Sequence, residues 1–260
     1  MTPITERAEN QTSPRQGYSG SSWVESEWGH AIVCYLDLHV HSTDASDDAG
    51  GTVEGYLKWI EARRKRGDRV DGVVLTEHRQ FDPQVRYDAL AERYDVVVLL
   101  GAELETDVGH MLVYGVTPAL AQHFDFADVA LPHRELLSAV RDEGGMAVPA
   151  HAGRPRIGLW DYAERGAVEF DLVGAVEALN GGSSDEENSR AGQLAADRGL
   201  ASVGGSDAHF VSAIGRCLTA FERRVASIEG LVEELRAGRM RALTAEQARA
   251  EATTESASAG

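Results

Sequence analysis

Thiols are scarce in this chain: among 260 residues only Cys34 and Cys217 are cysteines, far apart and with no CxxC partner. That usage predicts a reducing, cytoplasmic compartment. Positive charge is scarce too. Twenty-five Lys plus Arg face 42 Asp plus Glu, for a net charge of -17, a balance that repels long polyanions and argues against bulk nucleic-acid binding. No apolar run approaches 18 residues, and Arg7 and Arg15 are followed by no continuous apolar segment, so neither a membrane span nor a secretion signal is expected. The first residues lack hydrophobic periodicity altogether. Residues 1–30 are expected to be mostly a disordered tail, with Tyr18, Trp23 and Trp28 in a Gly/Ser-rich setting that suits packing over a barrel end or a contact between copies of the chain; a homo-oligomer stays open.

What the chain does have is alternation. Ala31 to Leu38 reads as a buried strand leading into Leu36-Asp-Leu-His-Val-His-Ser-Thr43, whose two imidazoles at i, i+2 share one face. Val53, Tyr56, Leu57 and Ile60 then mark an amphipathic helix ending at Gly67. Val70 to Thr76 is a second strand, Pro83 to Arg93 a short helix, and Asp95 to Leu100 a third strand leading to Glu103. His110 heads a fourth apolar run, Leu136, Leu137 and Val140 mark a helix, and Met146 to Ala150 delivers His151. Leu172 to Leu179 reads as a strand ending at Asn180, and Ser184-x-x-Glu187 as a capping box. Leu200 to Gly205 leads into Ser206-Asp-Ala-His209, and Ile228, Leu231, Val232 and Leu235 form a last helix. Arg216 to Phe221 is a further strand candidate, and the tail 247–260 is expected to be loose.

Strands alternating with helices over residues 31–246 predict a single-domain α/β fold, a TIM-like barrel of about seven parallel strands. The polar residues fall in a pattern. His39, His41, Glu77, His78, Glu103, His151, Asp207 and His209 all follow apolar runs, and in a parallel barrel those ends converge on one face. With His110, six of the nine histidines belong to this set. Imidazole and carboxylate ligands without thiolate suit Zn, Mn or Fe, and neighbouring ions that share a water lower its pKa and clamp a phosphoryl oxygen. Asn180 suits either a contact to substrate or a strand-end cap.

Five motifs stand in order: Asp37-Leu-His-Val-His-Ser-Thr43, Thr76-Glu-His78, Gly101-Ala-Glu103 with His110, Pro149-Ala-His-Ala-Gly-Arg154, and Gly205-Ser-Asp-Ala-His209. From about Tyr35 to Gly215 the chain resembles the PHP (polymerase and histidinol phosphatase) superfamily. The resemblance implies a distorted (β/α)7 barrel holding two or three divalent ions that hydrolyse phosphate esters. Carried over by position, it implies one ion on His39, His41, Glu103 and Asp207, and a second on Glu103, His110 and His151. A third would take His78, His209 and an acid of the 44–48 loop, with Asp47 preferred over its neighbours Asp44 and Asp48. Asp37, Glu77 and Ser206 would support the ligands, Asp37 behind His39 or His41. Arg154, in a His-x-x-Arg run, would grip substrate phosphate, with Arg156 as its alternative. Chemistry alone makes His209 or Asp207 a candidate to protonate the leaving oxygen, and the role stays open because a ligated residue is a poor acid until substrate binds. Glu77 in place of the usual aspartate, Ala152 in place of proline, and an acidic loop one residue longer depart from the family's common pattern. His110 and His151 are only 41 positions apart, which leaves little room for a lid domain and favours a small phosphomonoester, a metabolite or nucleotide. The alternatives are a phosphodiesterase or exonuclease on short oligonucleotides and a metal-binding domain without activity.

Overall fold

A computed structural model describes residues 34–258, with side chains to residue 251. The expected tail 1–30 and its three aromatics lie outside the described residues. Nine strands and eight α-helices are described: β1 (Cys34–Val40), α1 (Val53–Arg64), β2 (Gly72–His78), α2 (Asp88–Tyr94), β3 (Val97–Thr106), β4 (Gly109–Tyr114), α3 (Pro118–His123), α4 (His133–Asp142), β5 (Met146–Pro149), α5 (Trp160–Glu164), β6 (Ala175–Asn180), α6 (Asp185–Arg198), β7 (Ala201–Gly205), β8 (Cys217–Phe221), α7 (Ile228–Ala237), β9 (Met240–Thr244) and α8 (Ala245–Ser258).

The strands form a curled seven-stranded half-barrel, β5-β4-β3-β2-β1-β8-β9, and a separate pair, β6-β7. The pair lies across the open side: Ala208, just beyond β7, bridges Val40, and Gly204 N donates to Thr219 Oγ1 on β8 at 2.8 Å. The α/β barrel expectation holds, but the sheet is mixed rather than parallel. β1-β2-β3 and β6-β7 are parallel, whereas β3-β4, β4-β5, β1-β8 and β8-β9 are antiparallel.

The inner faces of the strands and α7 share one core. Leu36, Leu38, Val74, Leu99, Leu112, Tyr114, Val148, Ala175 and Val203 pack with Phe221, Leu231 and Leu235, so α7 plugs one end. Because side chains alternate along a strand, the same inward phase continued toward the other end carries His78, Glu103, His110 and Glu177. In β1 the phase changes. Leu36 and Leu38 point inward, Val40 packs outward with α1, and the β1-β2 register shifts between Asp37 and Val40, an irregularity that turns His39 inward as well.

Two helices differ from the sequence reading. α2 starts at Asp88 rather than at Pro83, which lies in a turn before it. The segment expected to be a loose tail is helical as α8: Ala248 is fully buried and Arg249 pairs with Asp68. The capping box at α6 is present in both directions, Ser184 with the Glu187 amide and Glu187 with the Ser184 amide.

Candidate metal centre

The inward-facing polar residues meet at the end of the barrel opposite α7. His39 Nε2 and His41 Nε2 lie 3.0 Å apart, each 3.3 Å from Glu103 Oε2 and 3.5 Å from Asp207 Oδ1. The other oxygen of Glu103 faces the opposite way, 2.9 Å from both His110 Nδ1 and His151 Nε2. One carboxylate thus stands between two nitrogen clusters. A third group holds His78 Nε2 and His209 Nε2, 3.3 Å apart, with Asp48 Oδ2 at 3.3 and 3.2 Å. His41 stacks on both of these rings, at 4.0 and 4.4 Å between centroids.

The loop acid brought into this arrangement is Asp48, not the expected Asp47. Glu77 sets the loop. Its carboxylate accepts Ser42 Oγ at 2.6 Å and Ser46 Oγ at 2.5 Å as well as the Ser42 amide, and Gly50 N donates to the His209 carbonyl at 2.7 Å. Between those anchors Asp48 turns toward the histidines, while Asp44 accepts from Tyr87 Oη at 2.8 Å.

Fit to divalent ions can be judged from the donors. Pairs of imidazole nitrogens turned toward one another, with carboxylate oxygens beside them and no thiol among them, suit Zn, Mn or Fe. The protonation states suit the same purpose. Burial alone would raise Glu103, but His39, His110 and His151 outweigh it and hold that carboxyl well below the usual range; Asp207 is likewise lowered, by His39 and a bond to His41 against its burial. Burial lowers His151 and keeps its ring neutral. His39 is raised: Glu177, Asp207 and Glu103 overcome a burial that acts the other way. The carboxylates of Glu103, Glu177 and Asp207 gathered on these rings favour a bound cation.

His151 and Asp207 both adopt positive φ, +31° and +52°, each just past the end of its strand. Such conformations are disfavoured for side chains with a Cβ and cluster where structure over-determines them. Exposure rises across the site: His39 and His41 are fully buried, His110 is 17% exposed, His78 and His209 are 24% and 23%, and Asp48 is 52%. Solvent therefore enters on the His78–His209 side.

Arg154 lies at this mouth, 19% exposed, with Nη1 2.9 Å from Asp207 Oδ2, Nη2 donating to Asn180 Oδ1 at 2.9 Å and Nε donating to Ser183 Oγ at 2.9 Å. Arg156 is not part of it. It is exposed, and its amide is bonded to Asp161. Asn180 serves neither as a bare cap nor as an open donor, because it joins Arg154 to Glu177. Asp37 touches neither imidazole. Its carboxylate accepts the amides of Ser206 at 2.7 Å, Gly215 at 2.8 Å and His39 at 3.4 Å, tying β1 to the loop that carries Asp207, and burial pushes its pKa up to about 6. Ser206 also reaches the His39 carbonyl, at 3.5 Å.

Sequence reasoning missed Glu177. Its signal was present: one acid inside the apolar run Val176-Glu-Ala-Leu179, in the phase of Ala175 that points into the barrel.

A family model described as PHP-associated matches residues 185–240, the segment from α6 through Asp207 and His209 to α7. That match covers 56 of the 260 residues, and over it the chain is similar to the PHP-associated family. No curated protein sequence matches it. Among solved structures, PsfC from Pseudomonas syringae superposes with a TM-score of 0.61 at 20% identity, over 88% of this chain and 99% of that one. A two-domain Bacteroides vulgatus protein containing a predicted PHP-like metal-dependent phosphoesterase gives 0.55 at 19% identity, over 88% and 70%. The lesion-specific endonuclease EndoQ from Pyrococcus furiosus gives 0.57 at 17%, over 81% of this chain and 58% of its own. These likenesses establish the PHP-type barrel fold.

Proposed function

We propose that this protein is a PHP-type metal-dependent phosphoesterase that hydrolyses a small phosphomonoester. The observation that carries the proposal is Arg154. A guanidinium has five N–H groups; three are engaged by Asp207, Asn180 and Ser183, which leaves two on a fork that is 19% exposed. Such a fork beside clustered imidazoles and carboxylates suits a tetrahedral oxyanion. Ions held by His39, His41, Glu103 and Asp207, by Glu103, His110 and His151, and by His78, His209 and Asp48 would supply Lewis-acid charge and lower the pKa of water.

The chain's own groups divide the remaining work. Arg154 orients the phosphoryl group and balances its charge as the bond to the leaving oxygen breaks. Asp207 has both carboxylate oxygens engaged and is held strongly acidic, so it is unsuited to protonating that oxygen. His209 is unsuited as well, since its Nε2 is turned toward the third ion position and its Nδ1–H is fixed by the Asp207 carbonyl at 3.0 Å, so the leaving oxygen takes its proton from solvent on the open side.

A small substrate is supported by the short interval from His110 to His151, which besides β4 and β5 holds only α3 and α4 and no lid domain, and by the net charge of -17. The Bacteroides match, named for a predicted metal-dependent phosphoesterase, supports the reaction class. No described helix is long and apolar enough to cross a membrane. Two cysteines that are both free and buried support a reducing compartment, and we place the protein in the cytoplasm with a small metabolite or nucleotide as its substrate. The test is metal analysis of the purified protein, then phosphate release from a panel of phosphomonoesters and short oligonucleotides. Chelator-sensitive release from monoesters is expected. Preferential cleavage of internal diester bonds, or activity indifferent to chelation, would overturn the proposal.

A further inference from the structure

Glu177 is fully buried on β6 and surrounded by donors. His39 Nδ1 lies 3.1 Å from both of its oxygens, the His151 amide donates to Oε2 at 2.5 Å, and Asn180 Nδ2 donates to Oε2 at 2.9 Å. β7 makes room for this. A side chain at Gly205 would run into His39 Cβ at 2.5 Å and Glu177 Oε1 at 2.7 Å. None of the five motifs contains Glu177, yet it touches two of the residues assigned to ions and the one that holds Arg154.

We infer that Glu177 is the positioning residue that joins the metal centre to the oxyanion-binding arm. Its carboxylate can only accept, so it holds a His39 proton on Nδ1 and leaves Nε2, which faces Glu103 and Asp207, as the nitrogen that binds an ion. The bond to the His151 amide braces that residue in its positive-φ conformation. The third bond fixes the Asn180 amide with its oxygen toward Arg154, Gly182 N at 2.9 Å and Ser183 Oγ at 3.3 Å. One acid thereby sets the ring that binds an ion and the guanidinium that binds substrate, without touching either ligand.

This inference rests on the metal-centre reading, and the test separates the two. Protein stripped by chelation is titrated with Zn or Mn by calorimetry, as wild type and as Glu177→Gln, Glu177→Asp and Asn180→Ala, with 15N spectra of the histidines recorded on the Zn-loaded protein. Glutamine offers one acceptor and a donor where three donors converge, so Glu177→Gln should weaken metal binding about 10 to 100-fold and remove the single Nδ1–H tautomer of His39. Glu177→Asp keeps the charge at shorter reach, should fall between, and carries the test if the glutamine variant does not fold. Asn180→Ala should keep metal affinity within about threefold while weakening competitive inhibition by inorganic phosphate roughly tenfold, since only the arm is cut. Wild type that binds neither metal defeats the metal-centre reading itself. Wild type that binds, with Glu177 variants of unchanged affinity and unchanged His39 tautomer, overturns the inference alone.

Discussion

At the residue scale, Glu103 is the junction of the site. Its two oxygens serve separate histidine clusters, so Glu103→Gln should lose the bridge and strip at least one ion per chain; full metal occupancy by elemental analysis would disprove that role. Asp48→Asn should lower metal content at the His78–His209 position, whereas Asp47→Asn should leave it unchanged, a comparison that elemental analysis reads directly. Arg154→Ala should retain metal and lower kcat/KM for phosphate esters about 10 to 1000-fold, roughly 1.4 to 4 kcal/mol of transition-state binding. Arg154→Lys should recover part of it, because an ammonium keeps the charge and loses the fork. Steady-state kinetics with unchanged kcat/KM in Arg154→Ala would take this arginine out of the reaction. The sequence made Glu103 and Arg154 readable because each stands in a motif or follows a clear apolar run. It hid Asp48, whose place depends on where Glu77 pins Ser42 and Ser46, a contact across 31 to 35 positions that no local pattern encodes.

At the element scale, apolar runs located most strands but not their directions. β3 continues through Gly101 to Thr106 and turns back over Asp107 and Val108 into β4, so His110 arrives from the start of an antiparallel strand, not the end of a parallel one. A run of Val and Leu carries no arrow; only a two-residue link, too short for a crossover, reveals it. Helix caps were more legible, since Ser184 and Glu187 state their bonds in the sequence. Ser184→Ala should cost about 0.5 to 2 kcal/mol. At this chain length that lowers Tm by roughly 1 to 8 °C, with metal content unchanged. A melting curve that does not move would show that α6 is held by packing of Ala191, Leu194 and Ala195 alone.

At the scale of the whole molecule, the two thiols report on the core. Cys34 and Cys217 are buried on adjacent strands, and burial pushes both up to about 12 from an ordinary 9.0. The thiolate fraction at pH 8 falls about 1000-fold from that shift, so neither should react with an aromatic disulfide reagent until the chain unfolds. Rapid labelling of the native protein would contradict the packing of β1 against β8. The β3-β4 hairpin has a consequence for time rather than space. Glu103 and His110 are 7 positions apart, whereas His39 meets Glu177 across 138. Closing the longer loop costs roughly 2 to 3 kcal/mol more chain entropy, so the hairpin's two ligands come together first during folding. The rest of the centre assembles around them, and the contacts that join the barrel's distant strands come last.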